Sequence, residues 1–406
     1  MFKDRAVSVT IGLADAGLES IDLSRSRHAG TMAAHSNNNK GNAMSALYHN
    51  PVATHFGAGS LNHIVGLTQG ETVTLVTFPE ARSLGLVDKI QALLGERLVH
   101  VIEDVQPNPD VAHLRDVYER FWREAGSCET VLAVGGGSAI DTAKALIVGT
   151  ESGRFDELLT LLAAGKPFTP SRCKALIAAP TTAGTGSEVT PWATIWDAAQ
   201  QKKYSLHLAC TWPKAAIIDP QLMLTVPAGV TVSTGLDALS HALEAIWNVN
   251  ANPISDLFAI SAIEDIFECL PRLHHDLSNL ELRSRMALAA LKAGMAFSNT
   301  KTALAHSISY EMTLRHGLAH GIACSFTLPY VLGLAWGRDA ARDQTLQRAF
   351  GADLSRAQER LRSFLHSLDV KTEFSDYGVT DSEAQAMVLY AMQGARGKNF
   401  IGSQAA

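Results

Sequence analysis

As far as about residue 225, short β-branched runs alternate with longer helical patterns, and beyond that point the β-branched runs stop. The first part pairs "TVTLVTF" with "ARSLGLVDKIQALLGE", "LVHVIEDV" with "DVAHLRDVYERFWREAG", and "TVLAVGGG" with "SAIDTAKALIVG", then adds "KALIAAPTT". Strands that alternate with helices are joined by crossovers, so they pair parallel and lie under helices on both faces. The second part holds stretches such as "VSTGLDALSHALEAIW", "SDLFAISAIEDIFECLPRLHHDL" and "ELRSRMALAALKAGMAFSN", whose apolar residues recur at i, i+3 and i+4. The expected fold is an α/β domain over residues 47–225 followed by an all-α domain over 226–406.

Composition narrows the function classes. At 406 residues and 47% hydrophobic, the chain has enough apolar side chains for two ordinary cores. A net charge of −6, with basic residues scattered rather than striped, gives no electrostatic case for nucleic acid. No apolar run approaches the roughly 18 residues of a membrane span. The N-terminus carries Asp4, Asp15 and Glu19 where an export signal would be basic and then apolar. The five cysteines (Cys128, Cys173, Cys210, Cys269, Cys324) are odd in number, far apart and without a CxxC pair, which fits reduced thiols packed as small apolar side chains. The expectation is a cytoplasmic homo-oligomer, a dimer, acting on a small molecule with no membrane or nucleic-acid partner.

Residues 1–46 are expected to be a disordered leader, because "SRSRHAGTMAAHSNNNKGNAMSA" is polar, small and aperiodic and cannot repay its ordering entropy. Met44 stands just before the strand-like alternation of "SALYHNPVATHFGAGSL", so Met44 or Met32 is a candidate start; intact mass from the native host would decide.

Two polar glycine segments follow strands. In "VLAVGGGSAIDTAKAL" the glycines Gly135, Gly136 and Gly137 let the backbone approach a ligand, and the free N–H groups at the start of the next helix attract phosphate oxygens. Ser138 is positioned to cap that helix. The second segment, "PTTAGTGSEVT", follows "KALIAA"; the alternative for each is a tight turn without a ligand. Two such turns at the carboxyl edge of a parallel sheet favour a nucleotide.

The helical half carries metal-ligand residue types. Asp237 and His241 are four apart on one helical face, a spacing that suits a chelate or a surface pair. His306 lies on the apolar "TALAHSISY" pattern, as a ligand or a satisfied core histidine, and His320 stands in "GLAHGIACSFTLP". His316 neighbours Arg315 and looks solvated. One carboxylate with up to three imidazoles suits Fe²⁺ or Zn²⁺ and suits Mg²⁺ poorly.

From "NPVATHFGAGSL" to about "LPYVLGLA", the motifs "GGGSAIDTAK", "PTTAGTGSEVT", "AAIIDPQLMLTVP", "TGLDALSHALEA" and "AHSISYEMTLRHGLAHG" resemble, in order and spacing, the iron-dependent (group III) alcohol dehydrogenases. The resemblance implies a dinucleotide-binding α/β domain and a helical domain, with NAD(P)H and metal facing across the cleft. It implies Asp237, His241, His306 and His320 as ligands of Fe²⁺, or of Zn²⁺. It also places Gly135, Gly136, Gly137 and Ser138 at the cofactor pyrophosphate with Asp141 nearby, Thr181 and Thr182 along adenine and ribose, and Lys203 against the cofactor. His316 matches no ligand position.

Three departures stand out. Tyr310 occupies the place where many members carry a second histidine near the nicotinamide, removing that histidine's proton relay and leaving Tyr310 as the candidate there. Phe78 ends "TVTLVTF" where many members have an aspartate for the adenosine ribose, so NADPH is expected to be tolerated or preferred. The chain also ends soon after "ARGKNF", so against the resemblance it is expected to lack a last helix.

The implied reaction is hydride transfer between nicotinamide and a carbonyl carbon, with the metal polarising the oxygen. Rival readings are a polyol dehydrogenase, a dehydroquinate synthase-type lyase, and a nucleotide- and metal-binding protein without turnover. "NTKTALAHSISYEMT" further resembles the branch acting on phosphonoacetaldehyde and 2-hydroxyethylphosphonate. Lys301, five residues before His306 and about 7.5 Å away along a continuous helix, is then the candidate for a substrate's anionic tail, with Thr300 and Thr302 assisting.

Overall fold

The computed structural model describes residues 46–405, so nearly all of the expected leader lies outside the described residues. The first part runs β1 (Ala53–Phe56), α1 (Ile64–Leu67), β2 (Val73–Thr77), α2 (Leu86–Leu94), β3 (Leu98–Ile102), α3 (Val111–Glu124), β4 (Thr130–Gly135) and α4 (Gly137–Ile147). It continues with β5 (Val148–Gly149), α5 (Phe155–Ala163), β6 (Arg172–Cys173), β7 (Ala175–Pro180), β8 (Trp192–Asp197), β9 (Lys202–His207) and β10 (Ala215–Ile218). Six strands form one sheet in the order β1-β10-β7-β4-β2-β3, and each neighbouring pair is parallel.

The central strands are continuous apolar runs because both faces are covered. All six residues of β4 are buried. One face packs Val131, Ala133 and Leu176 against Tyr118, Phe121 and Ile140 from α3 and α4, and the other packs Leu75, Leu132 and Ile177 against Val87 and Ile90 of α2. β4 and β7 run in register to Gly135↔Pro180, so both glycine-containing turns leave the same carboxyl edge. β8 and β9 instead form an antiparallel hairpin off the sheet, which the strand–helix alternation did not anticipate.

The remainder is helical: α6 (Ala228–Ile246), α7 (Pro253–His275), α8 (Leu280–Thr300), α9 (Leu304–His316), α10 (His320–Ser325), α11 (Leu328–Ala335), α12 (Ala340–Phe350), α13 (Leu354–His366) and α14 (Asp381–Gln393). α7 starts sharply because Asn252 accepts from the N–H groups of Ile254 and Ser255 while Pro253 fills the first helical position. α6 is the axis of this half. Its Leu236, Leu239, Leu243 and Ile246 are fully buried, each worth roughly 1.5–3 kcal/mol of burial. The same helix buries Asp237, His241 and Glu244. Burying an ion costs several kcal/mol unless it is paired, so these three require partners.

The helix assumed to run through Lys301 is broken. α8 ends at Thr300, Lys301 takes φ 69°, and α9 starts at Leu304. A non-glycine residue in that region is strained, and distant groups hold it there. Asn248 donates to the Lys301 carbonyl, Asn250 to that of Thr300, Asn399 to that of Thr302, and the Ala303 N–H donates to Glu244.

Candidate active site

A cleft of about 1420 Å³ runs between the carboxyl edge of the sheet and the helices, lined by Gly136, Ser138 and Thr182 on one side and Asp237, His241, His306 and His320 on the other. Pockets for one small ligand usually fall between about 300 and 1,000 Å³, so this one has room for a cofactor and a second molecule.

The nucleotide side is made of backbone. Gly136 precedes α4 without any side-chain cap, which leaves the first N–H groups of the helix free for an anion. A Cβ on Gly137 would come within 2.7 Å of Thr185 Cγ2, so this close approach of the two turns requires glycine. Ser138 does not cap the helix as expected: it lies inside the first turn, and its Oγ accepts from the Asn108 N–H. Asp141 is fully engaged, accepting from Ser187 Oγ at 2.6 Å and the Thr194 N–H at 2.9 Å, so it ties α4 to the second turn and the hairpin. Burial pushes its carboxyl up, against the pull of Lys144. Lys144 is itself pinned by Ser187 and Trp192 and held down at about 8 by burial.

Thr182 faces the cleft, whereas Thr181 is buried and donates its N–H to the Gly135 carbonyl. Phe78 follows β2 at the same edge and packs into the sheet core beside Gly135.

The opposite side is made of side chains. Glu244 Oε2 lies 2.7 Å from His306 Nδ1 and accepts its proton, while Oε1 accepts the His306 N–H at 3.1 Å. That arrangement points His306 Nε2 at Asp237 Oδ1, 3.3 Å away; burial disfavours charge on the ring, but Cys324, Glu244 and Asp237 outweigh it and raise its pKa well above the usual value, so the contact calls for a cation, whether a proton or a metal ion. Two more imidazoles converge on the same oxygen, His241 Nε2 at 3.8 Å and His320 Nε2 at 4.0 Å. Asp237 Oδ1 and His306 Nε2 are buried without any hydrogen-bond partner.

Acceptors facing one another in a dry site repel unless a cation lies between them, and donors about 2.1 Å from a tetrahedral ion stand roughly 3.4 Å apart. The residues therefore fit a divalent transition metal. Burial would raise the Asp237 carboxyl, yet the three histidines outweigh it and hold it far below its usual range; burial keeps His241 near 4, so it is a neutral donor.

The positioning has local causes. Asp237 and His241 are one turn apart on α6, and the His241 ring stacks on Phe297 of α8 at 4.0 Å. His320 begins α10, and a Cβ on the next residue, Gly321, would overlap the Ser233 carbonyl of α6. Glycine thus lets the two helices touch and brings His320 to Asp237. His316 is exposed at the end of α9.

Sequence reasoning missed two members. Cys324, one turn after His320, puts Sγ 3.6 Å from His320 Nε2, and the donor atoms of Asp237, His306, His320 and Cys324 all lie within 4.8 Å of one another. Burial raises this thiol, but the two histidines outweigh that and bring it to about 7. Glu244 was the other, and its signal was its place on the same α6 face as Asp237 and His241.

Lys203 and Tyr310 lie together at the cleft, with Lys203 Nζ 4.1 Å from the Tyr310 ring centroid, and Lys301 is exposed at the rim.

A parallel-sheet nucleotide edge facing a buried Asp–His cluster defines a nucleotide- and metal-dependent enzyme class. Residues 51–220 match "Iron-containing alcohol dehydrogenase" and residues 231–403 match "Fe-containing alcohol dehydrogenase family, C-terminal". The chain belongs to the iron-containing alcohol dehydrogenase family.

It is 31% identical over 358 residues to the NAD-dependent methanol dehydrogenase of Bacillus methanolicus, covering 84% of this chain and 92% of that one. It is 35% identical over 271 residues to 1,3-propanediol dehydrogenase of Citrobacter freundii, covering 64% and 68%. Sulfoacetaldehyde reductase from Bifidobacterium kashiwanohense, solved with NAD⁺, superposes with TM-score 0.81 at 28% identity, covering 89% of this chain and 98% of that one. No described helix is long and apolar enough to cross a membrane.

Proposed function

We propose that this protein is an iron-dependent, NAD(P)-linked alcohol dehydrogenase that interconverts a small aldehyde and its alcohol. The observation that carries this reading is the partnerless Asp237 Oδ1, buried and ringed by three imidazole nitrogens across the cleft from an uncapped helix start. Asp237, His241, His306 and His320 would hold the metal, and Cys324 would offer a soft donor that also suits Zn²⁺. When bound, a divalent ion would supply Lewis-acid chemistry at this site and a nicotinamide cofactor would supply the hydride.

The chain's own groups do the rest. Glu244 fixes the tautomer and ring plane of His306. Phe297 and Trp192, stacked at 6.0 Å, keep the inner cleft apolar. The Tyr310 hydroxyl, buried without a hydrogen-bond partner one turn beyond His306, supports a proton-carrying role for this residue. Phe78 offers no carboxylate to repel a 2′-phosphate, so NADPH serves beside NADH.

The test is loss of absorbance at 340 nm when metal-loaded protein meets reduced cofactor and a panel of short aldehydes. Steady oxidation supports the dehydrogenase. No oxidation with any aldehyde overturns it in favour of a lyase or a binding protein.

A further inference from the structure

The five cysteines differ in how far a reagent can reach them. Cys128, Cys269 and Cys324 are buried, whereas Cys173 is exposed and Cys210 is partly exposed. The two reachable thiols are also neighbours. Cys173 ends β6, and its Sγ donates to the Cys210 carbonyl at 3.6 Å. The Cys210 sulfur lies within hydrogen-bond reach of the same thiol. That bond lowers the Cys210 thiol below its usual value and, together with burial, pushes the Cys173 thiol far up. One sulfur is thus the readier thiolate and the other keeps its proton.

The fold holds the pair together. β7 and β10 are adjacent parallel strands, with Ala215 opposite Ile177 and the Lys214 N–H donating to the Leu176 carbonyl at 2.7 Å. Cys173 stands just before β7, and Cys210 lies in the turn Ala209–Thr211 that leads into β10. Adjacent strands run about 4.8 Å apart, inside the span of about 4.4–6.8 Å between the Cα atoms of a disulfide. Both ends are anchored: Cys173 pairs with Val148 of β5, and Thr211 Oγ donates to the Pro191 carbonyl at 2.6 Å. The residues on either side of Cys173 are cations, Arg172 and Lys174, lying 4.9 and 5.2 Å from the Trp122 ring. Positive charge beside a reachable thiol favours its thiolate and attracts an anionic reagent.

We propose that Cys173 and Cys210 are a thiol modification site, a dithiol that exchanges with a small anionic disulfide such as oxidised glutathione and closes to an S–S bond between the starts of β7 and β10. The Cys210 thiolate attacks one sulfur of the small disulfide and releases the first glutathione thiol. Cys173 then gives up its proton, attacks the mixed disulfide and releases the second. One small disulfide is reduced to two thiols while two protein thiols are oxidised to one bond. Under reducing conditions the pair stays open.

The closed loop contains β7, the second glycine turn and the β8–β9 hairpin. The bond lies where β7 and β10 begin, whereas both glycine turns leave the carboxyl edge of the sheet. It therefore fastens the sheet wall from behind without entering the cleft. The inference stands independently of the dehydrogenase reading.

The test exposes the full-length, metal-loaded protein to oxidised glutathione, quenches by alkylation under denaturing conditions and maps the peptides by mass. The expected product is one Cys173–Cys210 linkage, reversed by dithiothreitol, with Cys128, Cys269 and Cys324 recovered as alkylated thiols. Cys173→Ser should stop at a Cys210–glutathione adduct, and Cys210→Ser should give no internal linkage. The oxidised unmutated protein should melt roughly 3–6 °C above the reduced one, as closing a loop of this size predicts, and neither serine variant should show the rise. Cofactor Kd should change less than about 3-fold on oxidation. Melting curves of the reduced variants check that they are folded. Unreacted thiols, mixed disulfides that never resolve, cross-links between chains, or a linkage through a buried cysteine would each overturn the site. A linkage formed without the rise in Tm would overturn the fastening role.

Discussion

The two walls of the cleft are built on opposite plans. The sheet side offers backbone N–H groups at the start of α4, and its tolerances are steric: Gly137 cannot carry a Cβ without striking Thr185. The helical side offers side chains from three helices, Asp237 and His241 on α6, His306 on α9 and His320 on α10, and its tolerances are chemical. A backbone site is specified by one contiguous stretch. A side-chain site is specified by everything that holds three helices together, including Gly321 against Ser233 and the strained turn at Lys301. The two walls should therefore fail independently.

The largest effect is expected on the helical wall. Asp237→Asn removes the charge on which the three imidazoles converge, so metal content and turnover should both fall by more than about 100-fold, in line with the sensitivity of metal sites to their ligands. Cofactor Kd, read by fluorescence, should change less than about 3-fold. A joint loss of cofactor affinity would mean that the walls are not separate.

The mirror experiment is Gly137→Ala, which forces the Thr185 turn away from α4. Cofactor Kd should rise by roughly 10-fold or more, about 1.4 kcal/mol, with metal content retained. Phe78→Asp sharpens the same wall more gently: the NADH/NADPH ratio of kcat/KM should move towards NADH by several-fold, and an unchanged ratio would count against a ribose role for this position.

A separate effect concerns stability rather than binding or turnover. Glu188, buried beside the second turn, has its carboxyl pushed up by burial to about 7 from an ordinary 4.5. Because the folded value lies above the unfolded one, the folded state binds the extra proton. That contribution is complete below about pH 4.5 and is lost as pH rises through about 7. Glu188→Gln should flatten this loss by ~2 kcal/mol, read as a smaller Tm difference between pH 5 and pH 8.

The same contrast explains what the sequence revealed. The strand–helix alternation and the turn after β4 were legible because periodicity and glycine act locally, and Asp237 and His241 were legible because four residues make one helical turn. Cys324 stands at that same spacing from His320 and was passed over as a small apolar residue. Glu244 reads as an ordinary polar position of α6 until His306, 62 residues on, is folded against it. The break at Lys301 is enforced by Asn248, Asn250 and Asn399, none adjacent in sequence, so local helical pattern extended the helix too far. Arg396, whose guanidinium carbon lies 4.9 Å from the centre of the Tyr310 ring, gave no signal in the sequence. Only the fold carries the segment after α14 to the Tyr310 ring.

The measurement that bears most directly on the central claim is metal content per chain of anaerobically purified protein, taken for the unmutated chain, His306→Ala and His316→Ala. The account predicts about one equivalent of divalent transition metal, iron or zinc, in the unmutated chain and in His316→Ala, and little in His306→Ala. A full equivalent retained by folded His306→Ala, or loss of metal from His316→Ala, would contradict it.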